Sequence, residues 1–338
     1  MLRDLTFHGG RIADAEHHFP DAPRPWLDLS TGINPHPWRP PAPVDEDLHR
    51  LPSPDALRAL EDAAAAAFGT VAAVAATPGS EIALRLLAYM NLPRPWHVVT
   101  PCYRTHRDAL PGATCIAAHG IEEAAGQGGT LLLANPNNPD GRLLLPDRLL
   151  ALARRAAARG GVLVVDEAFA DALDGASILP LLRDGDPVLV LRSFGKFYGL
   201  AGVRLGFACG APALVAPIAA VLGSWPVSAT ALALGTAACR DAGWAAATRA
   251  RLAAERDALD ALLRAHGLAP RGACPLFRLV ETERAAALFA HLAGAGILTR
   301  PFEDHPHWLR LGLPGSGFAR LAAALSSFRD PSRRDDAE

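Results

Sequence analysis

At 338 residues, half of them hydrophobic and a fifth charged, the chain has the length for a large buried core and the makeup of an ordinary globular protein. A net charge of −2, with no long basic run, gives no electrostatic footprint for nucleic acid. The five cysteines are odd in number, scattered and without a CxxC pair, so they offer no metal site and predict reduced thiols in a cytoplasm. In chain order, the first stretch lacks an apolar h-region, and no apolar run reaches about 18 residues, so neither an export signal nor a membrane span is expected. Residues 1–45 are rich in His, Pro and Trp without a clear period and read as an ordered arm. Ser53-Pro54 then opens an alanine-rich helix, serine as its cap and proline in its first turn. Thr77-Pro78-Gly79-Ser80 is a turn leading into the helical EIALRLLAYM. WHVVT at 96–100 and TLLLANP at 130–136 read as strands, PDRLLALARRAAARG as a helix, and GVLVVDEAF, VLVLRS and VRLGFAC as further strands. Short apolar runs separated by helices predict an α/β fold with a mostly parallel sheet covered on both faces.

After SWPVS the pattern changes. A helix from about 228 and the helical RARLAAERDALDALLRAHG precede the strand LFRLV, the helix ERAAALFAHLAGAG and the strands ILTRPF and HWLRLGLP. This end predicts a smaller α+β domain. The expected division is a large domain at 45–225, a small domain of 226–330 with the arm 1–44, and a disordered tail at 331–338.

Four loops carry candidate chemistry, each at a strand's carboxyl end or a helix start, where open α/β sheets bind ligands. Gly79-Ser80-Glu81 is either a plain capping turn or an anion site built from backbone N–H groups and the Ser80 hydroxyl. NPNNPDG at 135–141 closes a strand as a polar turn and offers Asn138 to a ligand. Asp166, ending GVLVV, either caps a helix or sits near the core, where it needs a positive partner or several hydrogen bonds. The fourth is SFGKFYGLAGVRLGF, with Ser193, Lys196 and Arg204. There Lys196 is either a snorkelling surface lysine or a desolvated amine held for covalent chemistry.

Taken together, the spacings are 28 residues from Asn138 to Asp166, 30 from Asp166 to Lys196 and 8 from Lys196 to Arg204. This order resembles the fold-type I pyridoxal-phosphate enzymes, the aspartate aminotransferase superfamily, over nearly the whole chain. The resemblance implies a fold with a large cofactor-binding domain and a small α+β domain, pyridoxal 5'-phosphate as the cofactor, and Lys196 as the amine that engages its aldehyde. It implies that Asp166 pairs with the ring nitrogen and Asn138 with the ring hydroxyl. Gly79, Ser80, Ser193 and Arg204 then hold the phosphate, Glu81 counts among the cofactor-binding residues, and Tyr103, in PCY after WHVVT, stacks on the ring. Arg310, in HWLRLGLP, matches the arginine that clamps a substrate carboxylate.

Within the superfamily, HGGRI at 8–12 and DLSTGINPHPW at 28–38 resemble the threonine-phosphate decarboxylases of cobalamin biosynthesis. That likeness implies that His8, Gly9, Asn34 and Arg300 line the substrate end, with Arg300 beside Arg310 taking one acidic group each. It implies loss of the α-carboxylate from L-threonine O-3-phosphate, a homodimer, and no nucleic-acid or membrane partner. Phe169 stands where related transaminases commonly put a tyrosine, and Leu51 replaces the tyrosine of an RYP segment that reaches the neighbouring subunit's cofactor. Asp140 replaces the threonine of the commoner NPTG. A histidinol-phosphate-type aminotransferase is the rival enzyme reading. A non-catalytic cofactor-binding regulator is the rival of another class, and the chain has neither the spare length nor the basic helix that such regulators usually carry.

Overall fold

The computed structural model describes residues 3–40, 48–183 and 185–328; the expected tail at 331–338 and the expected boundary at 44/45 lie outside them. Two compact units emerge, a middle unit His36–Ala250 and a split unit formed by Met1–Pro35 with Arg251–Glu338. Among the described residues, no helix is long and apolar enough to cross a membrane.

Strands are numbered in chain order. Leu27–Asp28 is β1, in the split unit. The middle unit holds β2 (Ala73–Thr77), β3 (Trp96–Thr100), β4 (Thr114–Ala117), β5 (Thr130–Ala134), β6 (Val162–Asp166), β7 (Val188–Ser193) and β8 (Gly206–Gly210). They form one sheet in the order β2-β8-β7-β6-β5-β3-β4. The pairs from β4 through β7 are parallel, and β8 runs antiparallel to both β7 and β2. Parallel strands covered on both faces must be apolar throughout, and every residue of Thr130–Ala134 and Val162–Asp166 is buried. Val98, Leu132, Val164, Leu189 and Leu191 pack with Leu84, Leu87 and Ile218 in one core cluster.

The expected helix at Ser53-Pro54 forms as Pro54–Phe68: the Ser53 hydroxyl accepts from the Ala56 N–H, and Gly69 closes the far end at φ 64°. The helix after Gly79 is shorter than EIALRLLAYM. It ends at Leu86 and tightens into a 3-10 turn over Leu87–Tyr89. Two strands were not legible. β2 is mostly alanine, and β4 exposes Thr114, Cys115 and Ala117 at the sheet edge.

In the split unit, the described residues 3–35 of the expected arm are more regular than an arm. They carry the helices Arg3–Phe7 and Ile12–His18 and the strand β1. The remaining strands are β9 (Pro270–Arg271), β10 (Phe277–Glu281), β11 (Ile297–Leu298), β12 (Arg300–Pro301) and β13 (Trp308–Gly312). ILTRPF is thus not one strand. β11 pairs in parallel with β1, and β12 joins an antiparallel sheet in the order β12-β13-β10-β9.

Candidate active site

The register of the middle sheet gathers the predicted cofactor residues along one edge. Ala134, which precedes the Asn135 loop, pairs with Asp166, and Asp166 with Leu191. Ser193 pairs with Gly206, and Gly206 with Thr77, just before Gly79. Because β8 is antiparallel, its amino end lies at the same edge as its neighbours' carboxyl ends, which brings Arg204 to the Gly79 turn. Gly79 has φ 86°, and a Cβ there would stand 2.6 Å from Arg204 Nη2, so only glycine leaves room for that guanidinium. Arg204 itself is the one non-glycine residue at positive φ among the described residues, at 55°, and its side chain is exposed. The helix Ser80–Leu86 has seven residues. Arg204 brings a guanidinium to the turn that opens this helix.

Asp166 has the hydrogen-bond partners that its depth requires. The wholly buried His106 donates from Nε2 to Asp166 Oδ2 at 2.8 Å, and the Ala168 N–H donates to Oδ1 at 3.0 Å. Sequence reading missed His106. The available signal was its place one helical turn after Tyr103, in the helix Arg104–Ala109, where it meets the Tyr103 ring edge-on at 5.9 Å.

Tyr103 donates from its hydroxyl to Glu81 Oε2 at 3.1 Å, and Glu81 Oε1 also accepts from Thr105 and Arg85. Burial first, then the Glu81 charge, push the Tyr103 phenol up to about 12, so it stays protonated and a donor. Glu81 is thus placed against Tyr103. Asp140 closes its own turn: Asn137 Nδ2 donates to Oδ1 at 2.7 Å and the Arg142 N–H at 3.0 Å. Asn137 Nδ2 also donates to Pro101 O at 2.8 Å, joining the loop of Asn138 to that of Tyr103. Lys196 is half-buried in the short helix Phe194–Phe197, its Nζ 5.9 Å from the centre of the Phe169 ring. Behind this edge, the buried Arg192 donates to Glu167 Oε2 at 2.7 Å and also bonds Asp171.

The predicted substrate residues gather in the split unit. Arg300 and Arg310 are register partners on β12 and β13, which puts both side chains on one face. Arg310 is buried and donates from Nη2 to Ser30 O at 2.8 Å, while Arg300 Nη1 donates to Leu5 O at 3.2 Å. Burial first, and then the Arg300 charge, push the Arg310 guanidinium down to about 9. A bound anion would act in the opposite sense. Gly9 lies against Ser30, where a Cβ would stand 2.4 Å from the Ser30 carbonyl, and Asn34 is buried in the same unit, whereas His8 is half-buried. Among the described residues, no three His, Cys, Asp or Glu side chains come together to hold a metal ion.

The middle unit's set is an amine, a buried carboxylate and an exposed guanidinium fitted against a glycine turn. These match the aldehyde, ring nitrogen and phosphate of pyridoxal phosphate, so the residues present fit that cofactor. The profile of the family described as Aminotransferase class I and II matches residues 25–328. The threonine-phosphate decarboxylase of Pseudomonas aeruginosa is 41% identical over 331 residues, covering 96% of this chain and 98% of that one. The enzyme of the same description from a Sinorhizobium species is 40% identical over 327 residues, covering 94% and 97%. Among solved structures, histidinol-phosphate aminotransferase from Sinorhizobium meliloti in complex with pyridoxal-5'-phosphate has the same fold, with a TM-score of 0.71 at 23% identity over 82% of this chain and 83% of that one.

Proposed function

This chain belongs to the aminotransferase class I and II family, and we propose that it removes the α-carboxylate of L-threonine O-3-phosphate to give (R)-1-amino-2-propanol O-2-phosphate in cobalamin biosynthesis. The observation that carries this reading is the pair Arg300 and Arg310, two cations directly opposite each other on adjacent strands. Such a pair costs free energy in the empty protein, and a substrate bearing both a carboxylate and a phosphate removes that cost. The near end-to-end match to two threonine-phosphate decarboxylases supports the same substrate.

Bound pyridoxal phosphate supplies an electron sink for the pair released when the bond from Cα to the carboxylate breaks. Asp166, held by His106 and the Ala168 N–H, keeps a proton at the cofactor's ring nitrogen. Asn138 holds the ring hydroxyl, and Gly79, Ser80, Ser193 and Arg204 hold the phosphate. Tyr103 covers the ring face and is steadied by Glu81. Lys196 would hold the cofactor at its aldehyde, and its amine would deliver a proton to Cα after CO2 departs. Arg310 takes the carboxylate and Arg300 the substrate phosphate, with His8, Gly9 and Asn34 around that end. By holding the acidic groups, the arginines would orient the scissile bond. The protein acts as a homodimer in the cytoplasm. The exposed Leu51 stands where related chains send a tyrosine to a neighbouring subunit, so that contact is lost or replaced.

The test is to incubate the holoenzyme with O-phospho-L-threonine and follow CO2. Release without a 2-oxo acid co-substrate supports the reading, and amino transfer dependent on 2-oxoglutarate overturns it.

A further inference from the structure

We propose that Ser30 is a positioning residue that ties the Gly9-Gly10 turn to Arg310, so that two acidic groups of one substrate are read at a fixed separation. The proposal rests on the decarboxylase reading above. Ser30 is 2% exposed, and its three polar atoms are all engaged. Its hydroxyl donates to Asp28 Oδ1 at 2.5 Å and accepts from the Gly10 N–H at 2.7 Å. Its N–H donates to the same Asp28 oxygen at 2.8 Å, and its carbonyl accepts from Arg310 Nη2 at 2.8 Å. Asp28 thus fixes the hydroxyl hydrogen, which leaves an oxygen lone pair aimed at Gly10.

The backbone beneath this residue is anchored on both sides. The Leu29 N–H donates to Leu298 O at 2.7 Å, and the Gly312 N–H donates to Leu29 O at 2.7 Å. The segment 27–31 therefore spans from β11 to the end of β13, the strand that carries Arg310. The turn with His8 and Gly9 approaches so closely that a Cβ at Gly9 would clash with the Ser30 carbonyl. One residue, through its hydroxyl on the turn and its carbonyl on the guanidinium, thereby connects the turn to the arginine across elements remote in sequence.

The test compares ligands carrying one or both acidic groups. In Ser30→Ala, the KM for O-phospho-L-threonine should rise about tenfold, the worth of one buried hydrogen bond, while kcat falls less than about threefold. The inhibition constants of inorganic phosphate and of L-threonine, which carry one group each, should change less than about twofold, because neither senses the separation. The cofactor's absorbance should be unchanged. Asp28→Asn, which keeps the shape and weakens the acceptor, should shift KM in the same direction by less, and it decides the matter if Ser30→Ala does not fold. Equal loss for all three ligands, no change in KM, or a loss confined to kcat overturns the proposal. If the unaltered enzyme fails to decarboxylate O-phospho-L-threonine, the functional reading falls alone. Equilibrium binding of the same three ligands then still tests the tie.

Discussion

In the middle unit the buried cation Arg192 lies between Glu167 and Asp171, whereas in the split unit the buried Arg310 stands in register with another cation, Arg300. Burial opposes the Arg192 charge, yet Asp171 and Glu167 together hold it above the ordinary arginine range. At Arg310 burial and Arg300 act in the same direction, downward. The contrast separates two uses of a buried charge. In the middle unit Glu167 and Asp171 neutralise the buried Arg192 from within. The split unit instead sets two cations, Arg300 and Arg310, opposite each other on adjacent strands.

Four substitutions test this contrast, beginning with the largest expected effect. Lys196→Ala should lower turnover by about a thousandfold or more, through loss of the amine that carries the proton. Full activity in that variant, measured as CO2 release, would overturn the assignment of the middle unit to the cofactor. Arg192→Leu should destabilise the chain by about 3–5 kcal/mol in denaturant unfolding, because it leaves two buried carboxylates uncompensated. Arg310→Met should do the reverse for stability, raising the unfolding free energy by about 1 kcal/mol, while KM rises roughly 10- to 100-fold. In the same variant, O-phospho-L-threonine should no longer raise the melting temperature.

The pH dependence at Arg310 has a definite sign. Below about 9 the group is charged both folded and unfolded, so its penalty is constant there. As pH rises above about 9 the folded chain sheds the proton first, and stability increases until the unfolded chain loses its proton as well. Melts of Arg310→Met and the unaltered enzyme should therefore differ by a constant offset between neutral pH and about 9, and converge above it. The smallest effect is expected at His106→Asn, where Asp166 loses one donor: about a tenfold fall in kcat, with KM little changed. A change in KM alone would show that His106 does not act through Asp166.

Much of the middle unit was legible because its chemistry sits in short loops at the ends of apolar runs. Lys196, Asp166, Asn138 and Arg204 are each local in the chain, and their order and spacing were available from the sequence. What escaped notice depends on distant contacts. β2 reads as helical because alanine favours helices, and its strand form comes from pairing with β8. Ser30 looks like any loop serine until Gly10 and Arg310 are brought to it. The split of ILTRPF depends on two different partners, β1 for one half and β13 for the other, and a hydrophobic pattern does not encode that change.

The close approach of Arg204 to Gly79 bears on how this chain can change over generations. Arg204 occupies a left-handed backbone that costs an L-residue about 1–2 kcal/mol, and a side chain at position 79 would evict its guanidinium. The two positions therefore form one heritable unit. A designer seeking to seat a non-phosphorylated cofactor analogue has to rewrite both together, glycine to a larger residue and arginine to a glycine that suits the turn.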